Sequence, residues 1–216
     1  MNEMNIADIW KAQESKLNRS LQLNLFLVKE LQQGKAKSKL DRLANFKVFA
    51  VVLGILWSAF LGLLTVGGFF SGNPFFYVST GIIFLFNVAA LVVYIREIAI
   101  LRSIDYAAPV IKTQETLARL KLSNFNIVRL LLLQIPFYST FFWTTDLVLQ
   151  DITFQLVALP VTFVLALFSL WLYLNIRPEN MHKKWLKAFM NAGPEYRSLV
   201  EAGDFLTELE ALKKEI

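Results

Sequence analysis

The chain has 216 residues, 56% of them hydrophobic and only 18% charged, with a formal net charge of +5. It contains no cysteine and one histidine, His182, which excludes a disulfide framework, a thiolate metal site and a polyhistidine metal site within one chain. The charges gather in three blocks separated by long apolar stretches, whereas a soluble fold interleaves charged and apolar residues at a helical or strand period. The expected class is an all-α membrane protein with four transmembrane helices and cytoplasmic amphipathic helices.

Residues 1–46 read as a cytoplasmic helical arm. Trp10, Leu17, Leu21, Asn24, Val28 and Leu31 recur at heptad-like spacing and form one apolar stripe, with the polar Asn24 inside it and Glu14 weakening it. That stripe can pack on the chain's own loop, pair with a second copy or lie on the membrane surface, preferred in that order. Gly34 is expected to end this helix. Ser38-Lys39-Leu40-Asp41 then resembles a capping box, with Asp in place of Glu, opening the next run. Residues 1–20 carry charges throughout and no apolar segment, so no signal peptide is expected and the first span must direct insertion.

Residues 47–95 hold the first two expected spans, 48–66 and 75–95, each free of charge and close to the ~20 residues a bilayer core requires. Ala50, Gly54, Ser58 and Gly62 fall four apart on one face, where small side chains let another helix approach, by default within the same chain. Gly67-Gly68 and Ser71-Gly72-Asn73-Pro74 predict a short turn, with Asn73 capping the second helix and Pro74 at its first position.

Residues 96–126 form an inner loop that first extends the second helix. Pro109 suits the start of a new short helix, and Asp105 and Tyr106 are candidate polar interaction residues, read as cap and packing groups in preference to a chemical site. Residues 127–176 hold the expected third and fourth spans, 127–145 and 152–176, with Pro136 and Pro160 inside them as bending points. Asn87 and Gln134 are the spanning amides that most need partners in lipid. Hydrogen bonding between helices is preferred over a substrate or ion site. Aromatic residues such as Trp57, Phe69, Phe70, Phe141 and Trp143 gather towards the outer half, as an interfacial belt does.

In residues 177–216, Met181, Trp185 and Phe189 sit among Lys183, Lys184 and Lys187, as in a helix lying along the inner membrane surface. Gly193-Pro194 stops it, and Ser198-Leu199-Val200-Glu201 has the pattern of a capping box. Phe205, Leu209, Leu212 and Ile216 come next at helical spacing, with an acidic polar face. The arm, with four net positive charges over residues 1–47, is an available partner for that acidic tail.

All 22 basic residues fall in 1–47, 96–129 and 177–216, and none in the connections 67–74 and 146–151. By the positive-inside rule both termini and the loop 96–126 are cytoplasmic. Arg129 fits as a residue snorkelling to the inner interface. Basic flanks of this kind account for the pI without nucleic acid, and no aromatic-interleaved basic platform is present.

The opening Asp8-Ile9-Trp10-Lys11-Ala12-Gln13 and the loop Ile104-Asp105-Tyr106, Pro109-Val110, Gln114, Leu117 and Leu120 resemble an uncharacterised family of small bacterial four-span membrane proteins. Some members look like neighbours of alternative sigma factors, so the resemblance implies an anti-sigma-like or signalling role and no transferable functional residue.

The expected function is that of a regulatory or interaction protein of the bacterial inner membrane. Its partners would be the lipid bilayer, a cytoplasmic protein and a second copy in a homodimer, with no cofactor. The alternative is a small transporter or channel for an apolar compound. An enzyme is not expected: Tyr94, Arg96, Glu97, Asp105 and His182 lie where they could meet at the inner interface, but nothing in their spacing requires it.

Overall fold

One helix, α1 (Glu3–Ser71), runs unbroken from the N-terminal arm through the first apolar stretch, about 100 Å end to end. The computed structural model describes the backbone of residues 3–106 and 110–214, with side chains for 9–106, 110–208 and 211. After α1 come α2 (Pro74–Arg102), α3 (Val110–Leu132), α4 (Phe137–Thr140), α5 (Thr145–Gln150) and α6 (Ile152–Asn175). A 3₁₀ turn at Pro178–His182, α7 (Lys184–Ala192) and α8 (Pro194–Lys214) complete the fold. There is no strand among the described residues.

The continuity of α1 corrects two expectations. Gly34 does not end a helix and Ser38-Lys39-Leu40-Asp41 does not cap one. A helical glycine costs about 1 kcal/mol relative to alanine. Strong helix formers flank Gly34, and the turns after it gain burial, because Ala36, Leu40, Leu43 and Ala44 are covered by other helices. Open space surrounds the position of a Gly34 Cβ, so the glycine is not there for close packing. Gly67 and Gly68 likewise stay helical, and the turn narrows to Gly72-Asn73, with Gly72 at φ +74°. Asn73 accepts from the backbone N–H groups of Phe75 at 3.1 Å and Phe76 at 3.4 Å, with Pro74 opening α2.

Three helices, α1, α2 and α6, are long and apolar enough to cross a membrane, and the chain is a helical membrane protein. The expected span 127–145 is not one helix. It breaks after Leu132, where successive i→i−3 hydrogen bonds carry the backbone through residues 133–136 into the short α4. Pro136 is the cause: it has no N–H to offer the Leu132 carbonyl one turn back. That carbonyl accepts instead from the Ile135 N–H at 3.3 Å and the Ser169 hydroxyl at 2.6 Å, and Ser169 is the one buried residue of α6. Pro160 sits inside α6 without interrupting it.

The spans are joined by small polar pairs. Thr65 meets Thr80 at 3.2 Å between α1 and α2, and Ser79 meets Thr140 at 2.8 Å between α2 and α4. Ser139 meets Thr162 at 2.9 Å between α4 and α6. The small-residue stripe of α1 faces α2: a Cβ on Gly54 would lie 2.7 Å from Leu91, and one on Gly62 3.6 Å from Phe84. Packing runs from α1 to α2, from α2 to α3 and α4, and from α3 and α5 to α6. No extensive α1–α6 contact closes a ring among the described residues.

Beyond the apolar stretches, α1 from about residue 33, the end of α2, α3 and α8 build a water-soluble style of core. Leu40, Leu43, Leu101, Leu117, Leu120, Leu199 and Leu206 fill it. A second cluster, Phe125, Ile176, Leu186, Met190 and Tyr196, ties α3, α7 and α8 to the end of α6. The acidic tail lies on the basic arm: Lys39 pairs with Glu201 at 2.5 Å, Gln32 donates to Glu208 at 2.8 Å, and Lys35 sits 5.7 Å above the Phe205 ring. Ser198 does not open that helix. Pro194 does, and the Ser198 hydroxyl donates back to the Pro194 carbonyl at 2.7 Å. The side chains of Leu209, Leu212 and Ile216 lie outside the described residues.

Candidate functional site

Where the apolar stretches give way to this polar core, four helices contribute to one buried ion network. Lys47 comes from α1, at the last turn before the uncharged run 48–66. Tyr94 and Glu97 come from α2, one turn apart, at the end of its uncharged run. Asn124 comes from α3, and Glu195 from the first turn of α8, where the helix dipole favours a carboxylate.

Lys47 is 1% exposed, and its ammonium lies 2.7 Å from a Glu97 oxygen and in contact with Glu195 Oε2. The same ammonium stands 4.1 Å above the Tyr94 ring, a cation–π contact. The Tyr94 hydroxyl donates to Glu195 Oε1 at 2.6 Å, and the Asn124 amide donates to Glu195 Oε2 at 3.0 Å. Glu97 Oε1 is buried without a hydrogen-bond partner. Among the described residues no second cation pairs with either glutamate, so one ammonium faces two carboxylates.

Burying ions is costly unless each is paired and hydrogen-bonded. Here geometry supplies most of that compensation to Glu195 and only one contact to Glu97. The network thereby fixes the start of α8 against α1 and α2. A partly open cavity of about 380 Å³ adjoins it, lined by Phe46, Ile127, Leu131, Phe189 and Tyr196 together with Tyr94, Asn124 and Glu195 of the network.

The residues singled out from sequence are distributed differently. Tyr94 and Glu97 meet in the network, whereas Arg96, Asp105 and His182 are exposed and take no part in it. Tyr106 is half-buried against α1: its carbonyl accepts from Gln33 at 3.2 Å, and Lys37 lies 5.9 Å from its ring. Burial, with the Asp41 carboxylate second, pushes its hydroxyl up to about 12. Pro109 lies outside the described residues. Asn87 donates to Gln134 at 3.2 Å and to the Ile83 carbonyl at 2.8 Å, so the two spanning amides meet each other. Ala50, Gly54 and Gly62 are half-buried and Ser58 is buried, with no partner for its hydroxyl. Arg129 donates to the Tyr173 carbonyl at 2.9 Å and stacks 4.3 Å from that ring.

On the arm, Trp10, Leu17, Leu21, Asn24 and Leu31 are exposed and Val28 is half-buried. The preferred expectation, that this stripe packs on the chain's own loop, is corrected. Among the described side chains, the hydrogen bonds and ion pairs of α8 with the arm reach as far as Gln32, and these stripe residues lie beyond them.

Lys47 and Glu195 were missed from sequence. Lys47 reads as an ordinary basic flank, and Glu195 as the residue after a helix stop. The available signal was periodicity: Lys47 continues the four- and three-residue spacing of Ala36, Leu40 and Leu43, placing a charge on an otherwise apolar face. Comparison with protein-family models, curated proteins and solved structures gives no match.

Proposed function

We propose that the chain is a multi-pass regulatory or interaction protein of a bacterial inner membrane, which presents the N-terminal half of α1 to a protein partner in the cytoplasm. The observation that carries this reading is the exposure of the arm's apolar stripe. Leu17 is 60% and Leu31 63% exposed, on a helix continuous with a membrane span. Large apolar side chains in a row at helical spacing are the usual form of a helix-in-groove or helix-pairing anchor. Continuity of the arm with the first span carries it beyond the bilayer, which disfavours the membrane-lying alternative.

The orientation rests on the distribution of lysine and arginine. With three continuous crossings, termini on one side require a fourth. The end of α3, the bend and α4 supply it as a discontinuous span. Broken backbone within a bilayer is tolerated where protein satisfies it, and the Ser169–Leu132 hydrogen bond fits that role. The absence of cysteine makes the topology simple to test: single cysteines at Ser20 and Gln150 would be exposed to a membrane-impermeant maleimide. Labelling of Gln150→Cys in intact cells, with Ser20→Cys labelled only after permeabilisation, is expected. The reverse pattern would overturn the orientation.

For the partner, the full-length protein and a Leu17→Glu/Leu21→Glu variant are compared by affinity capture and identification of co-purifying proteins. A stoichiometric partner lost in the variant is the expected result. Loss of self-association instead would make the partner a second copy. No difference between the two proteins removes the arm as the binding element.

A further inference from the structure

We propose that the cavity beside Glu195 is a binding site for a small apolar organic cation, an ammonium carrying hydrocarbon or aromatic groups. Three observations converge on this chemistry. First, Lys47 is the one cation among the described residues that pairs with Glu97 and Glu195, so Glu195, the carboxylate residue on the cavity lining, shares its counter-charge with Glu97. Buried charges are stable when paired, so a second cation beside Glu195 would relieve that sharing. Second, the cavity opens directly beside one of those carboxylates, and its volume of about 380 Å³ lies in the range of small-molecule pockets. Third, the aromatic residues Phe46, Tyr94, Phe189 and Tyr196 are among those that line it. Aromatic faces around a carboxylate recognise quaternary and substituted ammonium groups through cation–π attraction, and their apolar bulk selects against hydrated metal ions.

Three of the four lone-pair directions of Glu195 are taken by Lys47, Tyr94 and Asn124, which leaves room for one further contact. The charged and titratable groups around it are Lys47 from α1, Tyr94 and Glu97 from α2, and Tyr196 beside it on α8; α3 contributes the neutral Asn124. The cavity also lies level with the ends of the uncharged runs, between Phe46 and Leu131, where an amphipathic cation concentrates at a bilayer surface. Anionic ligands are disfavoured by the same charge count. A proton would relieve that sharing too, but it needs no aromatic-lined space. This inference stands apart from the role of the arm, and neither falls with the other.

The test is equilibrium dialysis of phenyltrimethylammonium against the full-length protein in nanodiscs of zwitterionic lipid, with empty nanodiscs as blank and benzenesulfonate as the anionic counterpart. Saturable binding of one cation per chain is expected, with benzenesulfonate neither binding nor competing. Glu195→Gln should weaken it at least tenfold. Phe189→Ala, at an exposed residue outside the ion network, should also weaken it severalfold without changing thermal unfolding. It keeps the test decisive if Glu195→Gln does not fold. No saturable binding, equal uptake of benzenesulfonate, or affinity within twofold of wild type in both variants would overturn the proposal. So would uptake of a proton in place of the cation, seen as unchanged dialysis with a pH-dependent change in bulk protons.

Discussion

Two stretches of one helix, residues 9–31 and 33–47 of α1, share a heptad-like apolar rhythm and meet opposite fates. In the second, Ala36 and Leu40 are 0% and 1% exposed beneath α2, α3 and α8, and Lys47 closes the series in the ion network. In the first, Trp10, Leu17, Leu21 and Leu31 face outward. Periodicity marks which face of a helix seeks cover. Whether cover exists depends on where other segments lie, and among the described side chains the contacts of α8 along α1 run from Lys39, held by Glu201, to Gln32, held by Glu208. The difference separates a covered stretch from an exposed one.

That contrast can be broken hardest at Lys47. Lys47→Met removes the one cation between two buried carboxylates and is expected to cost about 3–5 kcal/mol, read by thermal or denaturant unfolding in detergent. The triple variant Lys47→Met/Glu97→Gln/Glu195→Gln should recover a large part of that loss. Failure to recover would mean the network acts by shape and not by charge.

Leu40→Ala should destabilise by about 2–5 kcal/mol, as large-to-small changes in a closed core do. Leu17→Ala, one step along the same rhythm, should stay within about 0.5 kcal/mol in the isolated protein. Equal costs at the two sites would mean the arm is already covered. Within the membrane, Ser169→Ala should cost roughly 1 kcal/mol by stripping the Leu132 carbonyl of its side-chain donor, whereas Ser58→Ala, where the hydroxyl has no partner, should be neutral or better.

The smallest expected effect concerns the grip of α8 on the covered half. The Glu201 carboxyl is held below its usual range, first by the hydrogen bonds from Lys39 and Arg197. A lowered carboxyl contributes stability that is present above its unfolded pKa and lost as pH falls through the folded one. The melting temperature should therefore decline in acid by a small step that Glu201→Gln abolishes. With these groups largely solvated, the step stays below about 1 kcal/mol. An unchanged acid limb in the variant would assign the grip to Leu199, Ala202 and Leu206 alone.

Local features of this chain are legible in its sequence because their physics is local. A run of uncharged apolar residues favours a helix in lipid, and Asn73 before Pro74 caps the helix that Pro74 opens; Pro136 marked a bend, but that it ends α3 where Pro160 leaves α6 whole was decided by the packing around it. Small residues four apart seek a close neighbour for the same kind of reason. Spacing also marked the apolar stripes, including the one that stays uncovered. The sequence misled at Gly34 and at Ser38-Lys39-Leu40-Asp41, because a glycine's cost of about 1 kcal/mol is smaller than the burial gained by the turns beyond it. The junction of Lys47, Glu97 and Glu195 is beyond local reasoning altogether. Its members are 50 to 148 positions apart, and each looks like an ordinary flanking charge. Only the packing of α1, α2 and α8 removes water from all three at once, and that shared desolvation turns separate surface charges into one site.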